Sequence, residues 1–448
     1  MSGPNKDISS SQRLIDRMLH RKTHKEQNDS TLKTRPLPRF NVDPALTTFE
    51  NHPACASFRM LTALAERFNI GNPFFKVHEG TAGSITRIDG REYLNFSHYN
   101  YLGLNGHPEV NKAAQEAVER YGTSAGASRL VAGERPVQRE LEAELAALYG
   151  VDDSIVFVSG HATNVSAIGT LLGPKDLILH DSLIHNSVVE GARLSGATRR
   201  SFPHGDMGAL DELLASLRAR HERVLVVVEG LYSMDGDIAD LRALVDIKQR
   251  YGAFLMVDEA HSLGVLGATG RGIAEHTGIP AKDVDIWMGT LSKTLAGCGG
   301  YIAGSQALVD IMKFSAPGFV YSVGLAPPLA AASLTALRIM LREPERVHRL
   351  RELGGLFLEL ARQAELDVGY SQGFCIIPIV LGSSRKAITV SNQLFDQGIN
   401  VQPIIHPAVE ERAARLRFFL SAMHSEDDIR RVCSALAYLV HGKEIAYD

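Results

Sequence analysis

From about residue 150 onward the chain alternates two patterns of apolar and polar positions. Short apolar runs rich in Val and Ile recur at "SIVFVS" (154–159), "DLILH" (176–180), "RVLVVVE" (223–229), "AFLMVD" (253–258) and "VDIWMGT" (284–290). Between them lie longer stretches with helical spacing, such as "DMGALDELLASLRARH", in which Leu210, Leu213, Leu214 and Leu217 share one face. Continuous apolar strands belong to a sheet buried on both faces. The alternation therefore predicts an α/β fold with a mainly parallel central sheet flanked by helices. Ligands of such sheets bind beyond the carboxyl ends of the strands, which is where Gly160, His180, Glu229, Asp258 and Thr290 fall.

After "APP" (326–328) the rhythm changes. Two long helical patterns, 329–342 and 345–365, lead to a strand "FCIIPIVLG", a helix, "INVQPI", a strand "RLRFFLSA" and a final helix that Ser425 and Asp428 are spaced to cap. Four regions are expected: an N-terminal arm and linker (1–50), a segment packing on the small domain (51–100), a large domain (101–344) and a smaller C-terminal α+β domain (345–448). The first 35 or so residues mix charges, with Leu14, Ile15, Met18 and Leu19 at helical spacing. That pattern fits a mobile arm or a helix that docks a partner.

Composition narrows the function. A chain of 448 residues suits two or three lobes with sizeable cores. The net charge of −4, with no basic stripe, argues against a protein that tracks nucleic acid. Cys55, Cys298, Cys375 and Cys433 are scattered, which argues against a disulfide framework or zinc knuckle and fits a reducing compartment. Apolar runs such as "IIPIVL" (376–381) are too short to span a bilayer. Arg13, Arg17, Arg21 and Lys22 have the character of a mitochondrial presequence, but Asp7, Asp16 and Glu26 count against one. The expected location is the cytoplasm.

Three motifs point to chemistries that their surroundings do not support. "DEAH" (258–261) matches an ATPase magnesium site, but no Gly-Lys-Ser/Thr phosphate loop exists; the only Gly-Lys pair is Gly442-Lys443. "GTSAG" (122–126) satisfies a serine-hydrolase elbow, yet it follows the helical pattern "NKAAQEAVERY" instead of a strand. "GATGRG" (267–272) has the wrong glycine spacing for a dinucleotide fingerprint, and His180 with His185 lacks the companions a metal site needs.

What remains is Asp258 at the end of one inner strand and Lys293 after the next, in "GTLSKT". A lysine among Gly289, Thr290, Ser292 and Thr294 has room and donors around it for a phosphorylated ligand. A lysine amine forms a Schiff base with a carbonyl, the chemistry that pyridoxal phosphate exploits. Buried Asp258 would keep a pyridine nitrogen protonated, and the strand-to-helix turn "SGHATN" (159–164) would offer helix N–H groups to a phosphate.

At these residues the sequence resembles the α-oxoamine synthases, a fold-type-I pyridoxal-phosphate group that includes serine palmitoyltransferase, 5-aminolevulinate synthase, 2-amino-3-ketobutyrate ligase and 8-amino-7-oxononanoate synthase. The resemblance spans roughly residues 70 to 440 through nine ordered blocks: "YNYLGLNGHP", "GTSAGASRLVAG", "SGHATN", "HDSLIHNS", "VEGLYSMDGDIA", "VDEAHSLGVLGATGRG", "GTLSKT", "YSVGLAPP" and "RLRFFLSAMH". It implies that Lys293 is the Schiff-base lysine and the base at Cα, and that Asp258 partners the pyridinium. His261 is implied to donate to the phenolic oxygen, with Ser233 near it, and His185 to stack on the ring. Gly160, His161 and Thr290 would lie at the phosphate; family members often carry an aromatic residue where this chain has His161. Ser322 would reach a phosphate across the interface of an obligate homodimer. Arg417 matches the arginine that binds the amino-acid carboxylate, with Arg415 as its rival on the same strand face. Asn100 and Ser124 are further substrate-binding positions.

The implied reaction is a decarboxylative Claisen condensation of a small amino acid with an acyl thioester, carried by coenzyme A or a carrier protein. "YNYLGL" with Asn100 favours serine, ahead of glycine or alanine, while "YSMDGD" also resembles 8-amino-7-oxononanoate synthase. The basic stretch 13–25 would serve either to dock an acidic carrier protein or to stabilise a dimer. An aminotransferase of the same fold is the alternative. A non-catalytic subunit would lack the lysine, so Lys293 argues against it.

Overall fold

The computed structural model describes residues 41–67 and 71–442, so the amphipathic stretch 14–19 and the basic stretch 13–25 lie outside the described residues. The chain forms two compact units, 1–69 and 70–448. In the first, two short 3-10 turns precede the helix Pro53–Arg67.

Among the described residues the second unit carries thirteen strands. β1 (Ile85–Ile88) and β2 (Arg91–Asn95) form a hairpin. β3 (Asp153–Phe157), β4 (Leu177–Asp181), β5 (Thr198–Phe202), β6 (Val224–Glu229), β7 (Phe254–Asp258), β8 (Ile286–Thr290) and β9 (Gly300–Gly304) form the central sheet. β10 (Ile376–Val380), β11 (Ile399–Asn400), β12 (Pro403–Ile404) and β13 (Arg415–Phe419) complete the set.

The central sheet has the order β3-β9-β8-β7-β6-β4-β5. Its strands run parallel except β9, which is antiparallel to both of its neighbours. The sheet is thus mainly parallel, as the apolar runs indicate, and β9 makes it mixed. The run "GYIAG" of β9 is bounded by glycines that its neighbours require: a Cβ on Gly300 would lie 2.7 Å from Gly160 Cα and one on Gly304 2.7 Å from Asp285 O, while Gly289 on β8 leaves room for the Tyr301 ring. β5, "TRRSF", also lacks an apolar signature because it is the sheet edge, with Arg199, Arg200 and Ser201 exposed.

β6 is buried along its whole length, as its Val-rich run requires. Helices such as Met207–Leu217, buried through Leu210 and Leu214, cover the faces. Trp287 on β8 stacks on Tyr149 with ring centroids 4.9 Å apart, and the Tyr149 hydroxyl meets that of Tyr301 at 2.8 Å.

The helix Pro327–Arg342 ends before Pro344, and Glu345–Gln363 begins a new one. Two three-stranded sheets follow, β10-β13-β12 and β1-β2-β11, so Leu94 and Asn95 of β2 pair with Ile399 and Asn400 near the far end of the chain. Ser425 caps Glu426–His441 reciprocally: its hydroxyl accepts the Asp428 N–H at 3.1 Å, and Asp428 accepts the Ser425 N–H at 2.8 Å.

Candidate active site

The loops after β6, β7 and β8 meet the start of the helix Gly160–Leu171 and the middle of β13 around a cavity of about 400 Å³. Lys293 Nζ lies 2.8 Å from His261 Nε2, and His261 Nδ1 lies 2.7 Å from the Tyr101 hydroxyl. Desolvation, reinforced by the charge of Lys293, holds His261 well below the usual histidine range. The ring is neutral, so Nδ1–H donates to Tyr101 and Nε2 accepts from Lys293. Desolvation also lowers Lys293 to about 8, against the opposing pull of Asp258 and Glu229.

Asp258 ends β7 beside Glu229, its register partner on β6. Asp258 Oδ2 accepts from Asn164 Nδ2 at 2.9 Å, and Oδ1 accepts from the Ala260 N–H at 2.9 Å. Glu229 accepts the Ser233 N–H at 3.0 Å, while its other oxygen is buried without a partner. Burial, with the charge of Asp258 adding to it, pushes Glu229 up to about 8. Two neighbouring buried carboxyls do not both ionise readily, so Glu229 holds its proton at neutral pH.

Ser159 caps the helix Gly160–Leu171 by accepting the Ala162 N–H at 3.3 Å. The first N–H groups, at Gly160 and His161, have no intrahelical acceptor and face the anion-binding end of the helix dipole. A Cβ on Gly160 would lie 2.9 Å from Thr290 Oγ1, so glycine keeps this turn open. Thr290 donates to Gly299 O at 3.0 Å and accepts the Ser292 N–H at 3.2 Å. His185 heads the helix Asn186–Ser195 with Nδ1 2.7 Å from Ser187 Oγ, and its ring stands edge-on to His161 with centroids 6.3 Å apart.

The structure separates the two arginines of β13. Arg417 lines the cavity: it donates to Ser233 O at 3.0 Å, lies 4.6 Å from the Phe419 ring centre and has a buried Nε without a partner. It has no carboxylate partner among the described residues. Arg415 is instead tied to Asp235 at 2.7 Å and to Met234 O at 3.2 Å, outside the cavity wall. Both contact the loop after β6, which approaches β10 so closely that a Cβ on Gly236, at φ 74°, would lie 2.1 Å from Ile376 O.

Lys293, Asp258, His261, His185, Gly160, His161, Ser233, Thr290 and Arg417 all line this one cavity. Asn100 does not; it lines an adjoining cavity of about 430 Å³ that shares Tyr99, Ser292 and Lys293 with the first. Its amide donates to Ala82 O at 2.9 Å and Asn105 O at 3.2 Å, and its oxygen accepts the Asn105 N–H at 3.0 Å, closing its own loop and tying it to the segment before β1. Ser124 accepts the Gly126 N–H at 3.1 Å on an exposed loop, and Ser322 follows the short helix Pro317–Val320 away from the cavity. Their two loops adjoin through the Gly324 N–H and Ala127 O, 2.9 Å apart. Glu259 turns inward, accepting from the Ser262 hydroxyl and from the Ile273 N–H at 3.0 Å.

Sequence reasoning assigned no role to Asn164, Tyr101 or Glu229. Glu229 carried the same signal as Asp258, a carboxylate closing a buried strand. Asn164 sits in the quoted turn "SGHATN", but its bond to Asp258 spans 94 positions. Among the described residues no group of His, Cys, Asp and Glu could hold a metal ion, and no helix is long and apolar enough to cross a membrane.

The cavity matches a phosphorylated aromatic base: free helix N–H groups at one end, a buried carboxylate for a ring N–H, and a lysine amine beside a neutral imidazole. Known proteins agree. The model of the class I and II aminotransferases matches residues 91–436. The 8-amino-7-oxononanoate synthase of Geobacter sulfurreducens is 42% identical over 369 residues, covering 82% of this chain and 93% of that protein. Its counterpart from Beijerinckia indica is 41% identical over 356 residues, covering 80% and 90%. Among solved structures, the serine palmitoyltransferase of Sphingomonas wittichii superposes with a TM-score of 0.82 at 28% identity, over 87% of this chain and 97% of its own. A serine palmitoyltransferase from S. paucimobilis, with pyridoxal phosphate joined to myriocin, gives a TM-score of 0.82 at 27% identity, over 86% and 97%. The chain belongs to the class I and II aminotransferase family, as an α-oxoamine synthase of the fold-type-I, pyridoxal-phosphate-dependent transferases.

Proposed function

We propose that the protein condenses alanine with an acyl thioester at the cavity of Lys293, releasing CO2 and a free thiol and leaving an α-amino ketone. One observation carries the reading. A lysine lowered to about 8 shares its cavity with Arg417, an arginine that has no carboxylate partner among the described residues. The first is an amine able to take the Cα proton, and the second a guanidinium free to hold the carboxylate that is later lost.

Gly160, His161 and Thr290 would hold the cofactor's phosphate, Asp258 its ring nitrogen, His261 and Ser233 its phenolic oxygen, and His185 its ring face. Lys293 would anchor it. Bound there, pyridoxal phosphate supplies an electron sink beside the amino acid's Cα. Arg417 orients the substrate carboxylate and Lys293 removes the Cα proton; with the cofactor bound, His261 would carry its proton on Nε2 to donate to the phenolic oxygen, and the Tyr101 hydroxyl would donate to Nδ1. Asp258, fixed by Asn164 and Ala260, keeps its charge toward the ring nitrogen. Glu229, protonated, adds no second charge.

Alanine is preferred to serine on two grounds. The donors of Asn100, the residue behind the serine reading, are spent on Ala82 O and Asn105 O and are not offered to a substrate hydroxyl. The relatives at 41–42% identity make 8-amino-7-oxononanoate, whose terminal methyl and amine are what decarboxylated alanine leaves behind. The rest of that product is a seven-carbon dicarboxylic acyl group, which is the acyl donor proposed here.

A homodimer accords with the adjoining loops of Ser124 and Ser322, which present exposed Val131, Tyr321 and Val323 near a serine that the cavity of its own chain does not use. Thiol release from a seven-carbon dicarboxylic thioester, measured with alanine, glycine and serine in turn, tests the reading. Alanine is expected to give the fastest release. Release that needs no amino acid, or none with any of the three, removes the proposal.

A further inference from the structure

One charged side chain that the proposed chemistry does not use ties together the loops that build the cavity. His204 follows β5, and both of its ring nitrogens face carboxylates. Nδ1 lies 3.0 Å from each oxygen of Asp181, and Nε2 lies 2.8 Å from Asp237 Oδ2. An imidazole with an acceptor at each nitrogen carries a proton on both, so His204 is an imidazolium. Burial opposes that charge, but the two carboxylates outweigh it and raise the group to about 10. Tyr232 stands edge-on to the ring at 4.5 Å, and Tyr370 lies 5.8 Å away.

Each carboxylate belongs to a different loop of the cavity. Asp181 ends β4 and also accepts the N–H groups of Leu183 at 2.8 Å and Gly205 at 3.0 Å, which fixes the turn running into His185. Asp237 closes the loop after β6, where its carbonyl accepts the Tyr232 N–H at 2.9 Å. The same loop presents Ser233 N–H to Glu229 and Ser233 O to Arg417, each at 3.0 Å. Arg415 pins its middle through Asp235.

We propose that His204 is a positioning residue: as a cationic clasp between Asp181 and Asp237 it sets the loop of His185 against the loop that holds Arg417, and so sets the grip on the amino acid. The inference rests on the reading that Arg417 binds the amino-acid carboxylate. It separates two properties that general loss of structure would damage together, namely retention of the cofactor and affinity for the amino acid.

The test uses holoenzyme carrying His204→Gln, with Asp237→Asn as the milder variant that keeps volume and shape. Alanine affinity is read by spectral titration of the bound cofactor, and amide exchange is followed at Leu183 and Ser233. His204→Gln is expected to keep the cofactor's absorbance while weakening alanine binding and raising its KM on the order of 10–100-fold, as for other misplacements remote from the chemistry. Asp237→Asn is expected to shift both in the same direction by less, with faster exchange at both amides. Unchanged alanine affinity in a cofactor-loaded variant overturns the clasp, and Asp237→Asn decides the matter if His204→Gln does not fold. If wild-type enzyme shows no response to any small amino acid, the proposed reaction fails. The clasp is then judged on amide exchange, and unaltered exchange overturns it.

Discussion

Replacing Asp258 by asparagine removes one negative charge and almost no volume. The native carboxylate is buried and accepts two hydrogen bonds, from Asn164 and from Ala260. The variant's amide oxygen keeps the bond from Ala260. Its new NH2 finds an acceptor if Asn164 turns over, because the Asn164 oxygen has no partner in the native site. The fold therefore accommodates the change. What the variant lacks is a charge opposite a protonated ring nitrogen. An uncompensated buried charge costs on the order of 3–5 kcal/mol, which slows turnover roughly 150- to 5,000-fold at about 1.36 kcal/mol per factor of ten. Lys293 also loses the attraction of the Asp258 charge, so it drops further below the ordinary lysine value. The assay is thiol release at saturating alanine and thioester, with thermal melting and cofactor absorbance as controls. A variant that melts with the wild type, binds pyridoxal phosphate and turns over within about tenfold of wild type refutes the reasoning.

The two arginines of β13 should part company. Arg417→Ala loses a charge-assisted contact worth about 1.5–3 kcal/mol and raises the alanine KM roughly 10- to 150-fold, whereas Arg415→Ala strands buried Asp235 and lowers Tm through a loss of about 3–5 kcal/mol. The opposite pattern in KM and melting would move the carboxylate site to Arg415. Because the fold lowers Lys293 to about 8, capture of pyridoxal phosphate by the apoprotein should accelerate with pH up to about 8 and then level off. The folded chain sheds that proton more readily than the unfolded one, so the apoprotein should also gain stability as pH rises from about 8 towards the ordinary lysine value of 10.5; capture that keeps accelerating to the higher value contradicts both. Glu259→Gln keeps an acceptor for the Ile273 N–H and should cost less than about tenfold in turnover, since Glu259 closes a loop and does not meet substrate. Abolished activity would return it to the chemistry.

Much of this was legible because buried strands announce themselves. The runs that became β3, β4, β6, β7 and β8 are apolar on both faces, and reading their carboxyl ends led to Asp258, Thr290 and Lys293. β5 and β9 were not legible, one because an edge strand needs no apolar face and the other because close packing against Gly160 and Asp285 selects glycine at both of its ends. The hydrogen-bond partners of the site were hidden for a different reason. Tyr101 meets His261 across 160 positions and Asn164 meets Asp258 across 94, and no local pattern encodes such a meeting. The choice between Arg415 and Arg417 needed Asp235, whose pairing with Arg415 exists only once the loop after β6 has folded onto β13.

The central claim is that loss of CO2 and release of thiol are two ends of one event. Purified enzyme loaded with pyridoxal phosphate is given carboxyl-labelled alanine and a seven-carbon dicarboxylic thioester, and labelled CO2 and free thiol are counted together. Decarboxylative condensation predicts one CO2 for each thiol, with neither formed when either substrate is omitted. Amino-group transfer to a 2-oxo acid with the thioester untouched and no CO2 released would contradict it.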